Sequence, residues 1–229
     1  MFDWLTPDES QALLLSLRIS LVAVFAALPF AFAAALLLSR ARFPGKTLVD
    51  GLIHMPLVLP PVALGFILLT LLGTRHGLGA FLYQALGIRF VFSWTGAALA
   101  SAIITFPLQV RAMRLALEGV DASLDQAAET LGASWWDRLA SITLPLVFPG
   151  MLAGLITAFA ASLGEFGAII TFVSNIPGET RTLPLAIYTA LQQPGGEDEA
   201  ARLSAFSIIL ALVFMTLAEF AARRVRKAA

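Results

Sequence analysis

Ser123–Pro145 reads SLDQAAETLGASWWDRLASITLP and stands between two apolar runs long enough to cross a bilayer. Ser123, with Gln126 three residues on, has the pattern of a capping box at a helix start. Leu124, Ala127, Ala128 and Leu131 then fall at i, i+3, i+4 and i+7, which makes one apolar helix face. Gly132 supplies a left-handed stop. Ser134 with Asp137 opens a second short helix carrying Trp135, Trp136, Leu139 and Ile142, and Pro145 is expected to close it. The stretch therefore predicts a helix–Gly–helix hook projecting from the membrane.

Two surfaces could take such a hook. A helix lying flat on lipid carries a Lys/Arg-rich polar face. Here Asp121, Asp125, Glu129 and Asp137 are set against Arg138 alone, a poor match for anionic headgroups. An apolar stripe at this spacing suits docking into a protein groove, and that is the expected role.

The rest of the composition fits a chain that lives in a bilayer. Of 229 residues, 59% are hydrophobic and 13% charged, with a mean hydropathy of +0.85. Soluble domains carry about a quarter charged residues, so an all-α integral membrane protein is expected. The formal net charge is zero, which offers no basic footprint for nucleic acid. The absence of Cys removes disulfides, thiolate metal sites and thiol nucleophiles. The start, MFDWLTPDES, is acidic and lacks the basic opening of a cleaved signal peptide, so the first apolar run is expected to be retained.

Five runs, near 12–38, 48–72, 94–117, 146–173 and 202–222, are long enough to span, given the roughly 20 apolar residues a crossing requires. The whole chain, 1–229, is read as one transmembrane domain, with the hook occupying 121–145. Arg40, Arg42, Lys46, Arg111, Arg114, Arg138, Arg223, Arg224, Arg226 and Lys227 fall on one side of these spans. Arg75, Arg89, Arg181 and Arg202 fall on the other, with Arg18 inside the first span. The positive-inside rule then puts the N-terminus outside and the C-terminus and hook in the cytoplasm. Arg18 is read as snorkelling toward the outer interface, the alternative being a pore-facing cation.

Proline and one acid mark the candidate pathway. Pro56, Pro60 and Pro61 remove three backbone donors from the second run, so that helix must bend or break. Breaks at membrane depth survive where protein or a water-filled cavity covers them. Pro107 predicts a kink in the third run. In the fourth, Gly150, Gly154, Ala158, Ala161 and Ala168 make a small-residue face for close helix contact. Glu165 lies deep in that run, at a cost of about 2.5–3.5 kcal/mol on insertion scales for a comparable acid. It is read as a paired or protonated gate-region residue, flanked by Gly164, Phe166 and Gly167. Gly73–Trp94 is expected outside, with Phe81, Tyr83, Phe90, Phe92 and Trp94 at the interface. Pro184 should open a short helix that Pro194 ends, with Leu183, Ala186, Ile187 and Ala190 on one face.

The hook also carries a resemblance. Gln126, Ala127 and Ala128, then Gly132, then Ile142, Leu144 and Pro145, match in spacing the EAA–G–I–LP loop of ABC-importer permeases. The Glu of that pattern is Gln126 here, with Glu129 one turn on. SLGEFGA (Ser162–Ala168), SNIPGETRTLP (Ser174–Pro184), LPPV (Leu59–Val62), FPGK (Phe43–Lys46) and RLALEGVD (Arg114–Asp121) resemble the molybdate branch of the oxyanion permeases. The resemblance covers nearly the whole chain. It implies a type I importer permease that works as a homodimer in the inner membrane. It also implies two cytoplasmic ABC ATPase subunits, which use ATP and Mg and grip the hook as a coupling helix. An extracytoplasmic binding protein would deliver molybdate, with tungstate as a second substrate.

Catalytic alternatives are thin. Pro44–Thr47 reads PGKT, but a phosphate-binding loop needs Gly where Arg40 stands, so the chain is not expected to bind ATP or any other cofactor itself. His54 and His76 are isolated, which leaves no metal site or catalytic triad. A channel or secondary carrier would need a relay of buried acids, and Glu165 with Glu219 makes a short one. Sulfate or thiosulfate is the competing substrate class, since tetrahedral dianions differ little in charge. Five spans per chain enclose a gated path poorly, so a two-fold dimer with the fourth span near the axis is expected.

Overall fold

The computed structural model describes residues 6–75 and 77–228, with 217–219 and 221–228 described by backbone alone. His76 and the Glu219 side chain therefore lie outside the described residues. Every regular element among those described is helical, and four helices, or five counting one bent pair as a single span, are long and apolar enough to cross a membrane.

Helix α1 (Pro7–Arg40) begins before the apolar run does, because Thr6 and Glu9 form a reciprocal capping box with Pro7 in the first turn. Its 34 residues extend for about 51 Å at the helical rise, well beyond the roughly 30 Å hydrocarbon layer. Ala23, Ala27, Ala31 and Ala35 form a buried stripe at i, i+4, i+8 and i+12. Small residues there let α5 (Trp94–Glu118) approach closely, and α5 is the central post on which α1, α8 and α9 pack.

The expected break in the second run is real. Helix α2 (Lys46–His54) tightens into a 3₁₀ turn (Met55–Leu57), and α3 (Pro61–Leu72) leaves at 107° to the first half. The cause is local. Pro61 forces the residue before it out of the helical region, and Pro60 sits at φ −56°, ψ 131°. Pro61 then occupies the first turn of α3, where a missing N–H costs nothing. The Pro60 carbonyl accepts from Ala63 at 2.9 Å and from Leu64 at 3.2 Å, so the break leaves it satisfied.

Helix α4 (Gly77–Leu86) leads to α5, whose first turn is capped by the Ser93 hydroxyl accepting from Gly96 N at 3.2 Å. The hook follows as α6 (Ala122–Thr130) and α7 (Trp135–Arg138). Where one uninterrupted run was expected over 146–173, the chain makes α8 (Leu144–Leu163) and then a separate α9 (Gly167–Val173). Gly164 and Glu165 stand between the two. Helix α8 crosses α5 at the small-residue face, where a Cβ added at Gly154 would lie 3.0 Å from Ala112 Cβ. Ala158 and Ala168 are also fully buried, but Ala161 lies on the exposed side of α8.

Helix α10 (Leu183–Leu191) opens with Pro184 in its first turn, as expected, and stops at Gln192, before Pro194. Leu183, Ala186 and Ala190 are buried. Its first turn is capped from afar: the Ser16 hydroxyl of α1 accepts from Leu183 N at 2.7 Å. Helix α11 (Glu197–Ala228) closes the fold, joined to the start of α1 by an ion pair of 3.0 Å between Arg202 and the buried Glu9. Four core clusters form among the described residues, two of them large. One of the large ones lies at the hook end around Leu38, Val110, Met113, Leu117 and Val147. The other lies at the opposite end around Ile19, Leu68, Ile169, Phe172 and Leu185.

Candidate functional site: an exposed hook and two facing helix breaks

The hook folds as two helices about a Gly, with one change at its start. Asp121, rather than Ser123, caps α6: its carboxylate accepts from Ser123 N at 2.9 Å. The Ser123–Gln126 capping box does not form, because Asp121 is already extended as the chain leaves α5 and Ser123 falls inside the first turn. The Ser123 backbone N–H holds the Asp121 carboxyl below the usual carboxylate range.

Gly132 stops α6 at φ +84°. Ala133 N donates to Ala128 O at 3.0 Å and Gly132 N to Glu129 O at 2.9 Å, the paired bonds of a Schellman stop. Ser134 and Asp137 then form the expected capping box. The second helix does not end at Pro145. It widens into a π-helical turn over Leu139–Thr143 and runs directly into α8. Pro145 has no N–H and its ring needs room near the carbonyl four residues back; the widened turn immediately before it fits that demand. The hook is thus continuous with a span.

The predicted docking stripe faces outward. Leu124 is 46% exposed, Leu131 87% and Trp136 72%, and Gln126 and Ala127 are exposed with them. Ala128, Ile142 and Leu144 are half-buried and Pro145 is exposed. Glu129 is engaged within the chain, accepting from Arg138 at 2.6 Å. Arg40 at the end of α1 reaches the same place, donating to Thr143 Oγ1 at 3.1 Å and lying 3.6 Å from Asp125. Sequence reasoning passed over Arg40 and Asp125 as pairing residues. The available signal was Asp125 and Glu129 at i, i+4 ahead of an Arg-bearing turn.

The second site lies where the two broken runs meet. A Cβ added at Gly167 would lie 2.9 Å from Pro61 Cβ and 3.3 Å from Val62 N, so the start of α9 rests on the start of α3. Pro60, Pro61, Gly164, Glu165, Phe166 and Gly167 are thereby gathered around two adjoining helix breaks. Glu165 is 8% exposed, and its carboxylate accepts from Ala168 N at 2.9 Å. Its partner is thus the start of a helix. Phe166 contacts the Tyr188 ring of α10 at 5.2 Å. On the outer side of the knee, Val58 is 85% exposed, with Pro60, Pro61 and Val62 beside it. The backbone at the knee is satisfied from within, with Val58 N and Leu59 N donating to Met55 O and Ala63 N and Leu64 N to Pro60 O, which leaves its exposed apolar face open to a neighbour. Arg18 lies 3.7 Å over the Trp94 ring, which holds the cation at the interfacial end of α5.

The chain is similar to known proteins in sequence and in fold. Residues 21–228 match the family model for the binding-protein-dependent transport system inner membrane component. The molybdenum transport system permease protein ModB of Escherichia coli K12 is 57% identical over 225 residues, covering 98% of both chains. Its namesake in Haemophilus influenzae is 53% identical, covering 96% of both. The sulfate transport system permease protein CysT of E. coli K12 is 35% identical over 86% of this chain and 72% of that one. Among solved structures, a bacterial ABC transporter involved in the import of alginate superposes with a TM-score of 0.79 at 20% identity, covering 96% of this chain and 81% of that one. That similarity extends to the fold. The chain therefore belongs to the binding-protein-dependent transport system inner membrane components, multi-pass proteins of the inner membrane.

Proposed function

We propose that this chain is the permease subunit of an ATP-driven importer for molybdate, with tungstate as a second substrate. The observation that carries the reading is 57% identity to a molybdenum permease across 98% of both chains, against 35% to a sulfate permease. The permease acts as a homodimer, joined to two ATPase subunits at the Leu124–Leu131–Trp136 surface and supplied by an extracytoplasmic molybdate-binding protein. Gln126, Ala127, Ala128, Glu129, Gly132, Ile142, Leu144 and Pro145 form the coupling segment. The hook and C-terminus face the cytoplasm and the N-terminus faces outward.

The mechanism follows from continuity. Because α7 runs through the π-helical turn into α8, a displacement of the hook moves a span. Span α8 ends at Gly164 beside the Pro61–Gly167 contact, so tilting α8 alters the surface at the two breaks. The exposed knee at Val58–Val62 lines the path, or meets the second copy. ATP and Mg belong to the ATPase subunits, and this chain performs no chemistry on the substrate.

Uptake of labelled molybdate into proteoliposomes holding the assembled complex, with binding protein supplied, tests this directly. ATP-dependent uptake that excess sulfate barely competes is expected. Flux through the chain without its ATPase would instead establish a carrier, and equal competition by sulfate would establish a general oxyanion permease.

A further inference from the structure

Three elements converge on Asp125. It sits on α6, inside the hook. Arg40, at the last turn of α1, reaches its Oδ2 at 3.6 Å, and Arg138, on α7, reaches it at 3.8 Å. Arg40 also donates to Thr143 Oγ1 at 3.1 Å, and Thr143 is a fully buried residue of the π-helical turn. One guanidinium at the end of the first span therefore holds both the hook and the root of α8. This contact crosses 85 residues of sequence to Asp125 and 103 to Thr143.

The cluster is neither a solvated surface pair nor fully closed. The Arg138 side chain is 13% exposed. Asp125 Oδ1 and Arg138 Nε are both shut off from solvent without a hydrogen-bond partner. These are opposite charges on adjoining helices, and Arg138 is meanwhile bound to the exposed Glu129, one turn along α6 from Asp125. Arg138 Nη1 thus lies between two carboxylates of α6, bonded to Glu129 at 2.6 Å and 3.8 Å from Asp125. The charge of Asp125 is compensated from two sides, by Arg40 and by Arg138.

We propose that Asp125, held between Arg40 and Arg138, is the positioning residue that transfers movement of the hook to α1 and α8 together. The inference rests on the importer reading. Within it, the exposed apolar surface of the hook engages the motor, and the Arg40–Asp125–Arg138 node makes the hook and the two span ends move as one body. Without the carboxylate, α6 swings about Gly132 and the stroke is spent in the hook.

The test measures molybdate uptake and ATP hydrolysis in the same proteoliposomes of the full assembly. In Asp125→Asn the shape is kept and the charge lost. Uptake per ATP is expected to fall by about two- to fivefold, the size of a partly exposed ion pair, with hydrolysis maintained. Asp125→Glu should recover most of the ratio. As the natural chain has no Cys, the Arg40→Cys, Asp125→Cys double variant can be joined by a short thiol-reactive linker. Linking should raise uptake per ATP above that of the unlinked variant.

An unchanged ratio in Asp125→Asn, a proportional fall in uptake and hydrolysis, or a linker without effect would each overturn the proposal. If the unsubstituted assembly showed no ATP-driven uptake, the importer reading would fall first. Normal uptake in that assembly with an unaltered ratio in the variant sinks only the role of Asp125.

Discussion

Gly167 rests on Pro61 so closely that a Cβ on the glycine would lie 2.9 Å from the proline Cβ. These residues begin the second halves of two broken runs, and their contact lets α3 and α9 start side by side. Nearby, a Cβ added at Gly65 would lie 2.7 Å from the Ala168 carbonyl oxygen. The two helices are thus seated through glycines on both sides.

Gly167→Ala should therefore force α9 away from α3. Overpacking of this kind costs about 1–3 kcal/mol, and the Val62 backbone nitrogen, 3.3 Å from the added atom, limits how the site relaxes. Gly164→Ala is the control: the nearest atom to its added Cβ is 3.8 Å away, and the backbone is in the ordinary right-handed region. Thermal melting of the purified assembly should fall for Gly167→Ala and stay unchanged for Gly164→Ala. Equal melting would show that the two breaks are not seated on each other.

Gly132 is constrained differently. Nothing lies within 4 Å of an added Cβ, yet φ is +84°. The cost of a side chain is therefore conformational, about 1–2 kcal/mol for Ala, and higher for a β-branched residue. Gly132→Val should lower ATP-dependent uptake strongly, whereas Gly132→Asn, which tolerates the left-handed region, should retain most of it. Matching losses in both variants would point to packing against another subunit in place of backbone strain.

Local chemistry made much of this legible. Ser134 and Asp137 announced their capping box, Gly132 its left-handed stop, and Pro60–Pro61 the broken run. Where reading failed, a second local signal competed with the first. Asp121 and Ser123 both suit a cap, and the one nearer the end of α5 prevails. Pro145 usually stops a helix, but the widened turn before it lets the helix continue. The polarity of Glu165 marked a special position, while the helix start that holds it depended on an interruption that the apolar pattern of 146–173 concealed. Arg40 and Asp125 are 85 residues apart in sequence, and nothing periodic connects them.

Glu165 offers a separation of cap from charge. Its carboxylate accepts from Ala168 N at 2.9 Å, and the amide oxygen of Gln could do the same. Glu165→Gln should keep uptake near the unsubstituted level. Glu165→Leu removes the acceptor and should lower stability by about 1 kcal/mol, the cost of a lost helix cap. Abolished uptake in Glu165→Gln with melting unchanged would show that the negative charge itself is required.

Two serines one turn apart on α1 should respond unequally to the same change. Ser16 accepts from the backbone N–H of Leu183 at 2.7 Å, and Ser20 shares a hydroxyl–hydroxyl bond of 3.0 Å with Ser162. Ser16→Ala leaves a buried backbone donor that no further side-chain substitution removes. Such an orphan costs about 1–3 kcal/mol, whereas replacing both partners of a side-chain pair with apolar groups can be nearly neutral. The Ser20→Ala, Ser162→Ala double variant should thus melt near the unsubstituted protein, and Ser16→Ala well below it. Amide exchange at the start of α10 gives an independent reading, since only Ser16→Ala frees Leu183 N–H. If that exchange stays slow in Ser16→Ala, the cap supplied by α1 is not what holds α10 in place.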